Sequence, residues 1–247
     1  GMSDFMKPGD VASLSQSADV AFRVKFEGEI PDKSSLYWRG LVFSRLEQNV
    51  WSSLGYYDVP IAEQRADDVV TKGKPLRYSV IMEPTQQNWL YALRYARATS
   101  PGVMHSSDFR LVSPAPIETE HMYRVESWTQ AVVEEQLSEW RRNTETKLPP
   151  QGNPRTRQLA LDMRAAVDSD QQLVDAILDT FNRESYVYTL RPGRLSGNNP
   201  IDQFMFQSKR GFCEHYASAF VFMMRAAGVP ARVIAGYQGG ELNPVNK

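Results

Sequence analysis

Cys213 is the only cysteine among 247 residues, and it stands in the stretch "GFCEHYASAF" two positions before His215. A thiol and an imidazole are the parts of thiol-nucleophile chemistry: the thiolate attacks a carbonyl carbon while the ring takes up and returns the proton. From Tyr216 to Ala227 nearly every residue is apolar or small, and Gly228-Val229-Pro230 follows as a helix stop. A helix apolar on all sides is a buried one. Its first turn holds the cysteine, so the sulfur is expected at the positive end of the backbone dipole. That end favours a thiolate by about 0.3–1 kcal/mol, up to about 2 when partly buried, and one pKa unit is about 1.4 kcal/mol. A free thiol ionises near pH ~8.5, so the helix supplies about one unit and full ionisation at neutral pH needs a second group.

His215 is the nearest ring, but residues two apart on a helix project about 200° from one another, so it is not expected to face the sulfur. Its expected place is a local hydrogen bond or the wall of a cleft. Gln207 lies six residues before the cysteine, a spacing at which papain-like proteases carry an oxyanion-hole glutamine; the alternative is a solvated loop side chain. Phe212 and Tyr188 are further candidates for the oxyanion site or the cleft. Lys209 and Arg210 read as exposed charge, Asp202 as packing or capping, Trp38 and Trp51 as core or domain contact, and His105 and His121 as surface or core side chains of a β-rich region. No histidine follows residue 215. Cys213, Glu214 and His215 make no zinc site, because tetrahedral zinc needs three or four converging ligands and there is no second cluster. Neither metal nor cofactor is expected.

The elements that position this stretch are legible in outline. "VAFRVKF" sets Val20, Phe22, Val24 and Phe26 on one face of a strand, and the alternation returns at Leu76, Tyr78, Val80 and Met82 and at Tyr123 and Val125. "LYWRGLVF" (36–43) is aromatic and β-branched enough for a buried strand. With turn signals between them, residues 8–140 read as a β-rich, sandwich-like domain. Residues 141–155, "RRNTETKLPPQGNPR", are polar, carry Pro and Gly and offer almost nothing to bury; they read as a linker. Beyond them, Asn153 is expected to cap a helix with Pro154 at its first position and Leu159, Met163, Ala166 and Val167 at helical spacing. Ser169 and Gln172 form a capping box ahead of a stripe of Leu173, Ile177, Leu178 and Phe181. "YVYTL" (186–190) is extended, and "ARVIAGY" (231–237) reads as a strand after the buried helix. Lys and Arg number 28 against 29 Asp and Glu, so no global field draws nucleic acid. The longest apolar run, Ala217 to Met224, falls short of the roughly 20 residues that span a bilayer. The opening Gly-Met reads as a cleavage scar.

"RGFCEHYASAFVFMMRAAGVPARVIAGYQGGELNP", Arg210 to Pro244, resembles the signature of bacterial transglutaminase-like proteins of the TgpA type. "LYWRG" followed by "NVWSS", "LPPQGNPRTRQLA", "YVYTL" and "DQFMF" resemble that family too, and the likeness covers residues 8 to 247. It implies an α+β fold: the N-terminal β-sandwich followed by the first half of a papain-like, transglutaminase-like cysteine domain (156–247). It also implies a Cys-His-Asp triad with Cys213 as nucleophile. The histidine and aspartate of that triad belong to a segment after the "GGELNP" turn, so the resemblance implies a piece of a longer protein, inactive by itself. Membrane anchors outside the chain and a periplasm-facing soluble region are implied as well. The expected activity is acyl transfer on amides, from a glutamine of a protein or peptide to an amine acceptor. The alternatives are a cysteine protease or amidase using the same site, or a non-catalytic binding domain with an inert thiol.

Overall fold

A computed structural model of the chain describes residues 5–6, 20–64, 69–133, 136–183, 185–195 and 197–240. The first half builds two β layers. One has four antiparallel strands in the order Phe22–Glu27, Leu76–Met82, His121–Ser127 and Ala96–Ala98. Its inner face carries Tyr78, Val80, Met82, Tyr123 and Val125, all buried, while Arg77 and Arg124 point outward. The other layer starts with Tyr37–Phe43. Reciprocal backbone bonds between Arg39 and Ala92 (2.8 and 3.0 Å) carry it on toward the strands Trp89–Leu90, Leu111–Val112 and Met104–His105.

Aromatic rings fill the space between the layers. Trp38 meets Phe22 and Tyr78 edge-on at 5.5 and 5.4 Å, and Phe22 stacks on Tyr91 at 4.7 Å. The buried hydroxyls are satisfied there. Ser127 Oγ donates to Leu93 O (2.9 Å), which leaves the Tyr78 hydroxyl to donate to Ser127 Oγ (2.7 Å) while it accepts from the Leu93 N–H (2.9 Å).

The second half is helical: α1 (Glu139–Thr146), α2 (Pro154–Ala165), α3 (Asp170–Arg183), α4 (Pro200–Gln203) running into a π-helical turn (Phe204–Ser208), and α5 (Cys213–Ala226). Helix α5 is buried because it separates two cores. Val221 and Phe222 enter the sandwich core, whereas Ala219, Met223 and Met224 pack with Ala160, Leu173, Ile177, Phe204 and Met205. It ends as the Gly-Val-Pro signal requires: the N–H groups of Gly228 and Val229 donate to Arg225 O and Met224 O, both at 2.9 Å, which is the Schellman pattern. The strand that follows, Val233–Gln238, joins the first half of the chain. It runs antiparallel to Tyr37–Phe43, with Val233 opposite Phe43 and Gln238 opposite Tyr37. A bulge at Ala235/Gly236 brings the backbones so close that a Cβ on Gly236 would sit 1.8 Å from Trp38 O, so no other residue fits.

Three local readings change. Residues 139–146, overlapping the stretch read as a linker, are helical, and the helix buries charge. Arg141 and Glu145 are both 4% exposed, and Glu145 pairs with Arg232 at 2.9 Å and with Arg141 at 3.6 Å. A buried face made of ions gives no apolar periodicity to read. Leu178, expected in the stripe of α3, is 46% exposed, while Leu173 and Ile177 are fully buried. The position after Ile177 is turned ~100° away from it, outside a narrow stripe. The capping box is present in shifted form: the Gln172 N–H donates to Ser169 Oγ (3.1 Å) and Gln172 Oε1 accepts from the Asp168 N–H (2.7 Å).

The third change concerns Asn153, which does not cap its own helix. It sits in the left-handed region (φ 52°) and its Oδ1 accepts from the N–H groups of Ile201 (3.0 Å) and Asp202 (3.1 Å), in the first turn of α4. Asp202 returns the contact. Its carboxylate accepts from the N–H groups of Arg155 (3.1 Å) and Thr156 (2.8 Å) and from the Thr156 hydroxyl (2.6 Å), in the first turn of α2. Two helix starts thus cap each other, and Asp202 is a cap as read, though for a helix 46 residues away. Asp202→Ala is expected to lower stability by about 2 kcal/mol, with Asp202→Asn less severe because one oxygen remains to accept. Urea unfolding measures both. The tail after Gly239, expected from the sequence to be mobile or paired with another chain through an open strand edge, falls mainly on residues 241–247, outside the described residues.

Candidate functional site

Helix α5 starts at a fixed point. Phe212 is its N-cap in extended conformation (φ −122°, ψ −168°), with its ring fully buried. The next residue, Cys213, is exposed. His215 sits at the third helical position and reaches back: its Nδ1 accepts the Phe212 N–H at 3.3 Å. The ring lies edge-on to Phe212 (4.6 Å) and tilted over Phe204 (5.7 Å), and burial pushes its pKa below the usual imidazole value. A neutral ring occupied in this way acts as a helix cap, in line with the geometric objection to pairing it with the sulfur. Gly211 makes room for it, since a Cβ there would lie 2.6 Å from His215 Cβ.

Burial also acts on the sulfur. Desolvation by the surrounding protein pushes the Cys213 thiol above its ordinary value, and the Glu214 carboxylate, itself buried, pushes the same way. The nearby backbone N–H groups of Glu214 and of Cys213 itself pull the pKa down, without overcoming the burial. The gain expected from the helix start is real in kind but outweighed. A raised pKa means less thiolate at neutral pH, so the rate of alkylation by iodoacetamide is expected to reach half its plateau above the ~8.5 of a free cysteine. A half-point below pH ~8 would contradict this account.

The other candidates lie on segments that lead into the start of α5 or pair beside it. Val187–Tyr188 runs parallel to Arg210–Gly211, held by the Val187 N–H on Lys209 O and the Thr189 N–H on Gly211 O, both 2.8 Å. This sets Tyr188, 63% exposed, in a stack on Tyr216 of α5 (6.3 Å), and Tyr216 meets Phe181 and Phe204 at 5.1 Å. Gln207 is exposed on the π-helical turn. Lys209 follows it in the left-handed region (φ 51°) with Nζ 5.4 Å from the Tyr186 ring, and Arg210 is exposed. Tyr37, on the strand shared with Val233–Gln238, was not among the sequence candidates. Its phenol is pushed up by burial and then by the charge of Cys213, which sets it near the sulfur, and its hydroxyl donates to Ile234 O at 3.3 Å. Strand alternation separates Tyr37 and Arg39 from the inward-facing Trp38, but nothing in that pattern names a partner so far along the chain.

Trp38 and Trp51 are core residues, 3% and 2% exposed. His105 accepts the Ala98 N–H (3.1 Å) and His121 stacks on Tyr123, both away from the thiol in the β-rich half. Among the described residues no three His, Cys, Asp or Glu side chains gather to hold a metal ion, and no helix is long and apolar enough to cross a membrane.

Two family models match the chain: the TgpA N-terminal domain over residues 1–134 and the transglutaminase-like superfamily over residues 157–246. A protein-glutamine gamma-glutamyltransferase of Pseudomonas aeruginosa is 44% identical across 99% of this chain; the chain spans 36% of that relative's length. The uncharacterized protein YebA of Bacillus subtilis is 33% identical over 97 residues, 38% of this chain and 13% of its own length. Two crystal structures of the periplasmic domain of TgpA from P. aeruginosa, one of them bound to ethylmercury, superpose with a TM-score of 0.92 at 44% identity. They cover 99% of this chain and 85% and 83% of theirs.

Proposed function

Because the chain belongs to the TgpA-type branch of the transglutaminase-like superfamily, we propose that Cys213 is the nucleophile of a protein-glutamine γ-glutamyltransferase facing the periplasm. The observation that carries this reading is the sulfur's position: exposed, at the first residue of a helix that is otherwise buried between two cores, with the backbone N–H groups of Cys213 and Glu214 close by. The thiolate adds to the carboxamide carbon of a substrate glutamine. The same N–H groups are placed to stabilise the oxyanion. Ammonia leaves with a proton, and an amine acceptor then displaces the thioester, releasing the sulfur and forming the new amide.

The proton carrier is a histidine oriented by a carboxylate, as the resemblance to the transglutaminase-like family implies; no histidine among the described residues fills that place. His215, buried and holding the Phe212 N–H, is not that base. A nearby imidazolium would also supply the charge that the raised Cys213 pKa calls for. By this reading the 247-residue chain alone turns over no substrate, and its domains divide as 8–140, 141–155 and 156–247. The test uses the full-length protein with a glutamine peptide and a biotin-labelled primary amine. Labelled peptide is the expected product. Glutamate alone, with no cross-linked product at any amine concentration, would instead assign the site to hydrolysis.

A further inference from the structure

We propose that the open groove walled by Tyr37, Arg39, Arg94, Phe109, Arg232 and Ile234 is a substrate subsite for a carboxylate carried by the glutamine peptide. This deepens the transferase reading and rests on it for the identity of the ligand. The groove has a volume of about 700 Å³ and no carboxylate among its described lining residues. Three arginines therefore line one opening. Arg232 is partly neutralised, because it pairs with Glu145 at 2.9 Å and lies 5.8 Å from the Phe109 ring. Arg94 is exposed, and its Nη2 donates a long hydrogen bond, 3.5 Å, to Ala131 O.

Arg39 is the informative member. Its Nε is buried and has no hydrogen-bond partner among the described residues. Buried polar groups are rarely left in that state, and a buried cation less often still. Desolvation, followed by repulsion from Arg232 and Arg94, lowers its pKa to about 10; Asp108 and Tyr37 only partly offset this. Asp108 is committed elsewhere, to Arg110 at 2.7 Å. The site thus holds more positive charge than its own residues balance, and a carboxylate entering the groove would relieve the repulsion.

The position selects a peptide. Tyr37 lies near the sulfur on one side and lines the groove on the other. Leu93, Phe109 and Ile234 give the groove apolar wall between the cations, as a chain with side chains requires. A peptide whose glutamine carboxamide meets Cys213 can therefore lay a nearby carboxylate on the arginines.

The experiment measures binding, so that it does not depend on turnover. Fluorescein-labelled glutamine peptides are titrated into the full-length protein carrying Cys213→Ala, in three forms: an acidic residue beside the glutamine with an amidated end, a neutral sequence with a free C-terminus, and a neutral sequence with an amidated end. One of the two carboxylate-bearing forms is expected to bind about tenfold tighter than the fully neutral one, and which of them does so identifies the source of the carboxylate. Arg94→Gln, at an exposed position, and Arg39→Gln should each erase most of that advantage and leave the neutral peptide unchanged. Equal affinity for all three peptides, or an advantage that survives Arg94→Gln and Arg39→Gln together, overturns the proposal. Selective binding without amine incorporation by the unmutated protein would sink the transferase reading and keep the subsite; incorporation without selectivity would do the reverse.

Discussion

Cys213→Ala in the full-length protein is expected to abolish amine incorporation, lowering kcat/KM by at least ~10³-fold. The surroundings of the sulfur are what make this loss interpretable. The cysteine side chain is exposed and makes no contribution to either core, so its removal costs little packing. The capping bond from the Phe212 N–H to His215 Nδ1 is untouched, and the helix start should stand as before. The variant is then a folded protein that lacks one atom, and the loss of rate reports the chemistry alone. A Tm within about 2 °C of the unmutated protein is the accompanying expectation. Residual incorporation above a tenth of the original rate would mean that another group is the nucleophile. Cys213→Ser is expected to be nearly as inactive, because a hydroxyl is a far weaker acid than a thiol and a base suited to forming a thiolate does not ionise it.

The second large effect is structural. Arg225, in the last turn of α5, is 3% exposed and donates to four backbone carbonyls: Ala231 O (2.8 Å), Lys147 O (3.0 Å), Thr144 O (3.3 Å) and Ser44 O (2.8 Å). Its guanidinium also lies 5.1 Å from the Trp51 ring. One side chain therefore ties α5 to α1, to the end of the first-half strand and to the approach to Val233–Gln238. Burial lowers its pKa to about 10, helped back by Glu145, so it remains a cation at neutral pH. Arg225→Met keeps much of the volume and strands the carbonyls, and is expected to cost about 3–5 kcal/mol. For a chain of this size that is a fall in Tm of roughly 10–15 °C. Arg225→Lys should fall between, because a single ammonium cannot match the planar fork. Circular dichroism melts decide it: a loss under about 1 kcal/mol for Arg225→Met would show that the four bonds are dispensable.

Much of the frame could be read from local pattern. The alternation at Leu76 to Met82 and Tyr123 to Val125, the Pro154 helix start, the Gly228 stop and the cysteine at a helix beginning all concern residues close in sequence, where spacing alone sets which side chains share a face. What escaped reading is long-range or polar. Nothing in "ARVIAGY" says that its partner is "LYWRGLVF", because any extended apolar segment offers the same row of backbone groups. Arg225 reads as an ordinary charge after an apolar run; its four acceptors come from loops and helix ends that carry no signature. Asn153 and Asp202 each look like caps for their own neighbourhoods, and the exchange between them exists only once α2 and α4 meet. At the site, Cys213 stood out by type and place, while the shift in its pKa depends on burial and on Glu214, quantities that appear only in three dimensions. Arg39 and Arg94 belong to separate strands and loops, so their convergence with Arg232 is a product of topology alone.

The pairing of Tyr37–Phe43 with Val233–Gln238 has a kinetic corollary. Tyr37 and Ile234 are 197 residues apart, so the hydrogen bonds between these strands form only after a loop of most of the chain has closed, an entropic toll that local contacts do not repay in advance. During synthesis the early strand waits with an unsatisfied edge until its partner has emerged. Within this part of the chain, folding is therefore expected to end, not begin, with the joining that brings Tyr37 up to the sulfur, which makes assembly of the surface around Cys213 a late event.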